Sequence, residues 1–117
     1  MHELSICQAL IDRVTAIASE QNARQVFCIR VAIGPLSGIE PQLLEQAYPL
    51  AAAGSIAEDA ELELEALPVR VFCPDCNKET DALPNRLVCG HCGDWKTRLV
   101  SGDELMLQAV ELERYSA

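Results

Sequence analysis

Apolar residues recur at three- and four-residue intervals from the start of the chain. Leu4, Cys7, Ile11, Val14 and Ala18 form one stripe, widened by Leu10 and Ile17. The spacing predicts an amphipathic helix over residues 3–20, with Gln8, Asp12 and Arg13 toward solvent. Glu3 suits the positive end of its dipole, and Gln21-Asn22 marks its exit. From Val26 to Ile33 the residues turn β-branched and aromatic. Phe27, Ile29, Val31 and Ile33 fall on one face, and Val26, Cys28 and Ala32 on the other, which predicts a central strand ended by Gly34-Pro35. A second helix opens at Glu40-Pro41 and carries Leu43, Leu44, Ala47 and Leu50 on its apolar stripe. Proline inside a regular helix costs about 3 kcal/mol. Pro49 therefore predicts a break or bend near Tyr48, with a short remainder to Ala53.

After the Gly54-Ser55 turn, Glu61, Glu63 and Glu65 alternate with Leu62, Leu64 and Ala66, a strand with one wet and one dry face. A short apolar run, Val69 to Phe72, leads into a stretch to about Arg98 that is rich in turn formers and poor in periodic apolar residues. Something other than a large core must hold that stretch. Leu105, Leu107 and Ala109 opposite Met106, Val110 and Leu112 predict a long last strand after the Ser101-Gly102-Asp103 turn. The expected architecture is α+β: a three-stranded mixed sheet packed with two helices, plus a small four-cysteine, zinc-ribbon-like domain. The domains are expected at 1–68 with 100–117, and at 69–99 inserted before the last strand.

Half of the 117 residues are apolar, which argues against a disordered chain. The net charge of -9 and the scattering of single basic residues exclude the positive footprint that a polyphosphate backbone or an anionic membrane surface demands. No apolar run approaches the roughly 20 residues needed to cross a bilayer. The acidic opening lacks the basic flank of a secretory signal, so a cytoplasmic location is expected. There, paired cysteines read as metal ligands before they read as disulfides.

Cys73, Cys76, Cys89 and Cys92 form two Cys-x2-Cys hooks separated by twelve residues. Four thiolates at about 2.3 Å make the tetrahedral shell that zinc accepts, and a shell filled by protein leaves no position for hydrolytic water. Pro74, Asn77, Gly90 and Gly93 suit the tight turns that aim backbone N–H groups at sulfur. An iron–sulfur cluster would use the same donors, but nothing else in the chain suggests electron transfer. A redox enzyme using the cysteine pairs, or an interaction module without cargo, are the competing readings. His91, between two ligands, reads as an exposed knuckle residue, and Cys7 and Cys28 as small core residues.

The opening Met1-His2-Glu3 offers a second metal site. The amine of Met1, the amide nitrogen of His2 and its imidazole can close adjoining chelate rings, a near-planar nitrogen set suited to nickel(II) or copper(II). The amide must lose its proton, so binding there depends on pH. Composition alone leaves an exposed histidine ahead of a helix as the alternative.

Met1-His2-Glu3-Leu4-Ser5, the run Ile33-Gly34-Pro35-Leu36-Ser37-Gly38-Ile39-Glu40-Pro41, the cysteine quartet and Ser101-Gly102-Asp103-Glu104-Leu105 together resemble the HypA/HybF family of nickel-insertion proteins for [NiFe] hydrogenase, over essentially the whole chain. The resemblance implies no enzyme but a nickel metallochaperone. Ni(II) would be transient cargo at His2, with Met1 and Glu3 contributing, and one structural zinc would be held by Cys73, Cys76, Cys89 and Cys92. It implies a HypB-like GTP-hydrolysing nickel protein and the hydrogenase large-subunit precursor as partners, in a monomer or weak homodimer. Some relatives also serve urease maturation. Pro49 departs from an uninterrupted second helix, and only His91 could stand for a regulatory histidine beside the zinc.

Overall fold

The computed structural model describes residues 2–115. Two helices, α1 (Glu3–Glu20) and α2 (Pro41–Ala52), accompany six strands: β1 (Ala23–Ile33), β2 (Glu61–Ala66), β3 (Arg70–Cys73), β4 (Lys78–Asp81), β5 (Arg98–Ser101) and β6 (Leu105–Arg114). The strands form two three-stranded sheets, ordered β2-β1-β6 and β4-β3-β5. No helix among the described residues is long and apolar enough to cross a membrane.

The first sheet is mixed, as expected. Gly34 N–H donates to Glu104 O at one end of β1 and Tyr115 N–H to Asn22 O at the other, so β6 runs antiparallel to β1. Leu67 N–H donates to Ile33 O, and Arg30 pairs with Glu63, which sets β2 parallel to β1. Parallel neighbours need a long crossover, and α2 lies within it. Ile29, Val31 and Ala32 of β1 are fully buried, as are Cys7 and Val14 of α1 and Leu44 of α2. The Cys7 thiol points at Leu44 O at 3.5 Å, joining the two helices.

The chain divides into two compact units. One comprises Met1–Val31, Ile39–Leu64 and Leu107–Ala117; the other comprises Ala32–Gly38 and Glu65–Met106.

The α1 boundaries match the periodicity, but Leu4 is exposed and Glu3 is buried in its first turn. Phe27 and Met106 also face solvent although the pattern placed them on apolar faces. Leu62 and Leu64 are only half-buried, because β2 is an edge strand. On α2 the buried arc is Leu44, Tyr48, Ala51 and Ala52, leaving Leu43 and Leu50 outside it.

The expected break near Tyr48 is corrected: α2 runs unbroken through Pro49 to Ala52, with Ala53 N–H donating to Pro49 O at 3.1 Å. The reason is position. Pro49 and Glu45 are both exposed, so water can satisfy the Glu45 carbonyl that the proline ring leaves without a donor. Pro49→Ala should restore that bond and stabilise the protein by about 1–2 kcal/mol, less than the intrinsic proline penalty because the freer unfolded chain offsets part of it. A higher urea midpoint with an unchanged slope would show it.

The second sheet is the larger departure. Its three strands have four residues each, too short for alternation to register, and they occupy part of the region that reads as turn-rich. β3 pairs antiparallel with both neighbours, with Cys73 opposite Lys78 and Phe72 opposite Arg98. Arg70 clamps β4 by donating to Glu79 at 2.8 Å and Asp81 at 2.6 Å.

Candidate metal centres

The first cysteine hook is the turn of the β3–β4 hairpin. Cys73 ends β3, Lys78 opens β4, and Asn77 takes the left-handed conformation (φ 56°) that reverses the chain. The second hook is closed by Gly93 N–H on Cys89 O at 2.8 Å and Cys89 N–H on Asp94 O at 2.9 Å, with Gly93 at φ 78°. Gly90 N–H donates to Thr80 Oγ1 at 2.8 Å, which docks the second hook on β4.

These contacts bring four sulfurs within 4.8 Å of one another. Cys73 Sγ lies 3.7 Å from Cys92 Sγ, and Cys76 Sγ 3.9 Å from Cys89 Sγ. A tetrahedral shell with bonds of about 2.3 Å has edges of about 3.8 Å, so the donor set fits a four-thiolate metal ion. His91 N–H and Cys92 N–H both point at Cys89 Sγ, at 3.3 and 3.4 Å, the amide-to-sulfur arrangement expected from the glycines. Thr80 and the Asp94 carbonyl were not legible as site residues, since one docks a remote hook and the other acts through its backbone. The His91 ring is exposed, with Nδ1 at 3.6 Å from Cys76 Sγ.

At the other candidate site, His2 is exposed and forms the N-cap of α1, its carbonyl accepting Ile6 N–H at 3.0 Å. Its side chain makes no capping hydrogen bond. Glu3 follows it, buried in the first helical turn. Met1, the third expected donor, lies outside the described residues.

The sequence matches the family described as "Hydrogenase/urease nickel incorporation, metallochaperone, hypA" over residues 1–112. The chain belongs to this family. Hydrogenase maturation factor HypA of Nitrosospira multiformis is 48% identical over 112 residues, covering 96% of this chain and 97% of the relative. That of Aquifex aeolicus is 41% identical over 113 residues, covering 97% of this chain and 98% of the relative. The solution structure of the Ni metallochaperone HypA from Helicobacter pylori superposes with a TM-score of 0.74 at 25% identity, covering 98% of this chain and all of the other.

In this chain the quartet is electrostatically uneven. The Cys92 N–H, aided by that of His91, pulls the Cys89 thiol down to about 6 against the effect of burial. The neighbouring Cys92 thiol, together with burial, pushes Cys76 up to about 12. Cys73 also lies above the ordinary range: the Cys76 N–H lowers it, but burial and the Cys92 thiol outweigh that. Within the quartet Cys89 thus gives up its proton more readily than an ordinary thiol, and Cys73 and Cys76 hold theirs more tightly. Because metal ligation requires thiolates, uptake at pH 7 should release at least the Cys73 and Cys76 protons. Below about pH 6 Cys89 must also give one up, and apparent affinity should fall more steeply as pH drops. Calorimetric metal titration in buffers of differing ionisation heat measures the count.

Proposed function

We propose that this chain takes up Ni(II) at its N-terminus and helps insert it into the [NiFe] hydrogenase large subunit, with a structural zinc ion held by Cys73, Cys76, Cys89 and Cys92. In this reading residues 1–68 and 100–117 form the nickel-binding domain and 69–99 the zinc-binding domain. The observation that carries it is His2, exposed at the very start of α1 with its imidazole uncommitted to capping. The first N–H groups of a helix have no intrahelical acceptor, so the His2 amide can be surrendered to a metal without breaking a helical hydrogen bond. Met1 supplies the amine, and Glu3 sets the backbone of the first turn.

Three nitrogens and a replaceable fourth donor suit capture followed by release. Such a set binds copper(II) ahead of nickel(II) when both are free, so selectivity must come from metal supply and docking. The partners are a HypB-like GTP-hydrolysing nickel protein and the hydrogenase large-subunit precursor, and the work is transfer without catalysis in the cytoplasm. Zinc is the ion that suits a closed tetrahedral thiolate shell, and it supplies stability to the hooks. Support comes from the family match and the donor geometry.

The test is nickel titration of zinc-loaded wild-type protein and His2→Ala at the same pH and salt. The variant should bind nickel more than about 100-fold more weakly, beyond the loss seen for disturbing outer-shell partners, with zinc content unchanged. Equal uptake by both would favour an interaction module without nickel transfer.

A further inference from the structure

A groove of about 840 Å³ lies between α1 and β6, lined by none of the candidate metal ligands. One wall is Arg13, Ile17 and Gln21, a single stripe of α1, and the other is the unbroken run of β6 from Leu107 to Leu112. Successive strand residues point to opposite faces. A cavity that meets every residue of such a run therefore meets the backbone edge of the strand and not one of its faces. β6 ends the order β2-β1-β6, and among the described residues its second edge has no partner.

Exposed edges are usually blunted by charge, proline or a bulge. From Leu105 to Val110, β6 carries no charged residue, proline or glycine, and its charges in the groove, Glu111 and Arg114, lie toward the far end. α1 faces this edge across the groove with Arg13, Ile17 and Gln21. Arg13 is exposed and makes no ion pair among the described residues, and Arg114 at the groove's end donates to Gln21.

We propose that this groove takes an extended segment of a partner protein, added to β6 as a fourth strand, with apolar side chains against Ile17 and Leu112 and a carboxylate against Arg13. Main-chain hydrogen bonds to β6 provide the affinity, and the side chains along α1 provide the selection. A second copy fits less well. Antiparallel self-pairing of β6 would bring the copy's own α1 onto the same strip of the same sheet face, and would join two chains of net charge -9. A peptide segment brings no second helix and little charge beyond the carboxylate that Arg13 meets.

The experiment selects a displayed library of random heptapeptides on the metal-loaded full-length protein, then maps the selected peptide by amide NMR. The expected peptides alternate apolar and polar residues and carry Asp or Glu. Their binding should shift Leu107–Leu112 and the Arg13–Gln21 stretch of α1, and should slow exchange of β6 amides. Arg13→Ala should weaken binding about tenfold or more, the scale of a charge-assisted hydrogen bond. Methylating alternate backbone nitrogens of the peptide should abolish binding, since only strand addition needs them. The proposal is overturned if no peptide is enriched, if shifts fall elsewhere, if the methylated peptide binds equally or if Arg13→Ala leaves affinity unchanged. It is also overturned if the free protein sediments as a dimer with the β6 amides already protected, which would give the edge to a second copy.

Discussion

Cys89→Ser should leave the protein with only residual metal and should unravel the β4-β3-β5 sheet. Cys89 is buried at 2% exposure, accepts two backbone N–H groups and has the most readily ionised of the perturbed thiols in the quartet. A serine oxygen is a harder, poorer donor to a thiolate-selecting ion. Its neighbourhood has little else to hold it. Between residues 69 and 101 the buried apolar residues are Val69 and Val71, together with the ligands Cys73 and Cys89. Two valines contribute about 3–6 kcal/mol of burial, whereas metal binding in small metal-folded domains reaches about 10–16 kcal/mol. Loss of the ion should thus dominate loss of any single packed side chain. Metal analysis after dialysis, with hydrogen exchange along β3 to β5, measures both effects. A variant that keeps wild-type metal content and exchange protection would show that the quartet is not the element holding this sheet.

Gly34→Ala should destabilise the fold by about 3 kcal/mol or more, the upper range for overpacking. A Cβ at Gly34 would sit 2.1 Å from Gly102 O and 2.8 Å from Asp103 N, which are backbone atoms that cannot rotate away. The same strip carries the hydrogen bonds from Gly34 N–H to Glu104 O at 2.8 Å and from Leu36 N–H to Gly102 O at 2.7 Å. Relieving the clash would pull both apart. Gly102 is itself held at φ 120°, where a Cβ would meet Val69 Cγ2 at 2.9 Å. Gly54→Ala is the control: its φ of 76° strains alanine, but nothing lies within 4 Å of the added carbon. The cost there should be about 1 kcal/mol. Denaturant midpoints of the two variants decide the matter, and equal losses would mean that the strip at Gly102 yields to the added carbon and that the close approach is not what makes Gly34 necessary.

Among candidate site residues, the quartet was the most legible because its signal is local. Two-residue gaps already confine each thiol pair to one turn, and four equivalent donors leave one sensible way to combine them. Glu3 was legible as an acidic first-turn residue but not as a buried one, because burial depends on what packs against α1. Pro49 misled because propensity counts the missing hydrogen bond and not whether water can replace it.

The first sheet could be read from alternation over runs such as β1 and β6, and α1 from a stripe repeated through five turns. Periodicity records which face of an element is dry when the run is long enough to average over exceptions. Four-residue strands offer no such average, so β3, β4 and β5 emerged only when Arg70, Thr80 and the register of Cys73 against Lys78 were brought together. The sequence by itself determined the helix, the long strands and the grouping of the four cysteines, because those depend on neighbours along the chain. The tertiary structure alone decided the second sheet, the Gly34–Gly102 approach and the open edge of β6, because each depends on atoms that meet in space from segments far apart in the chain.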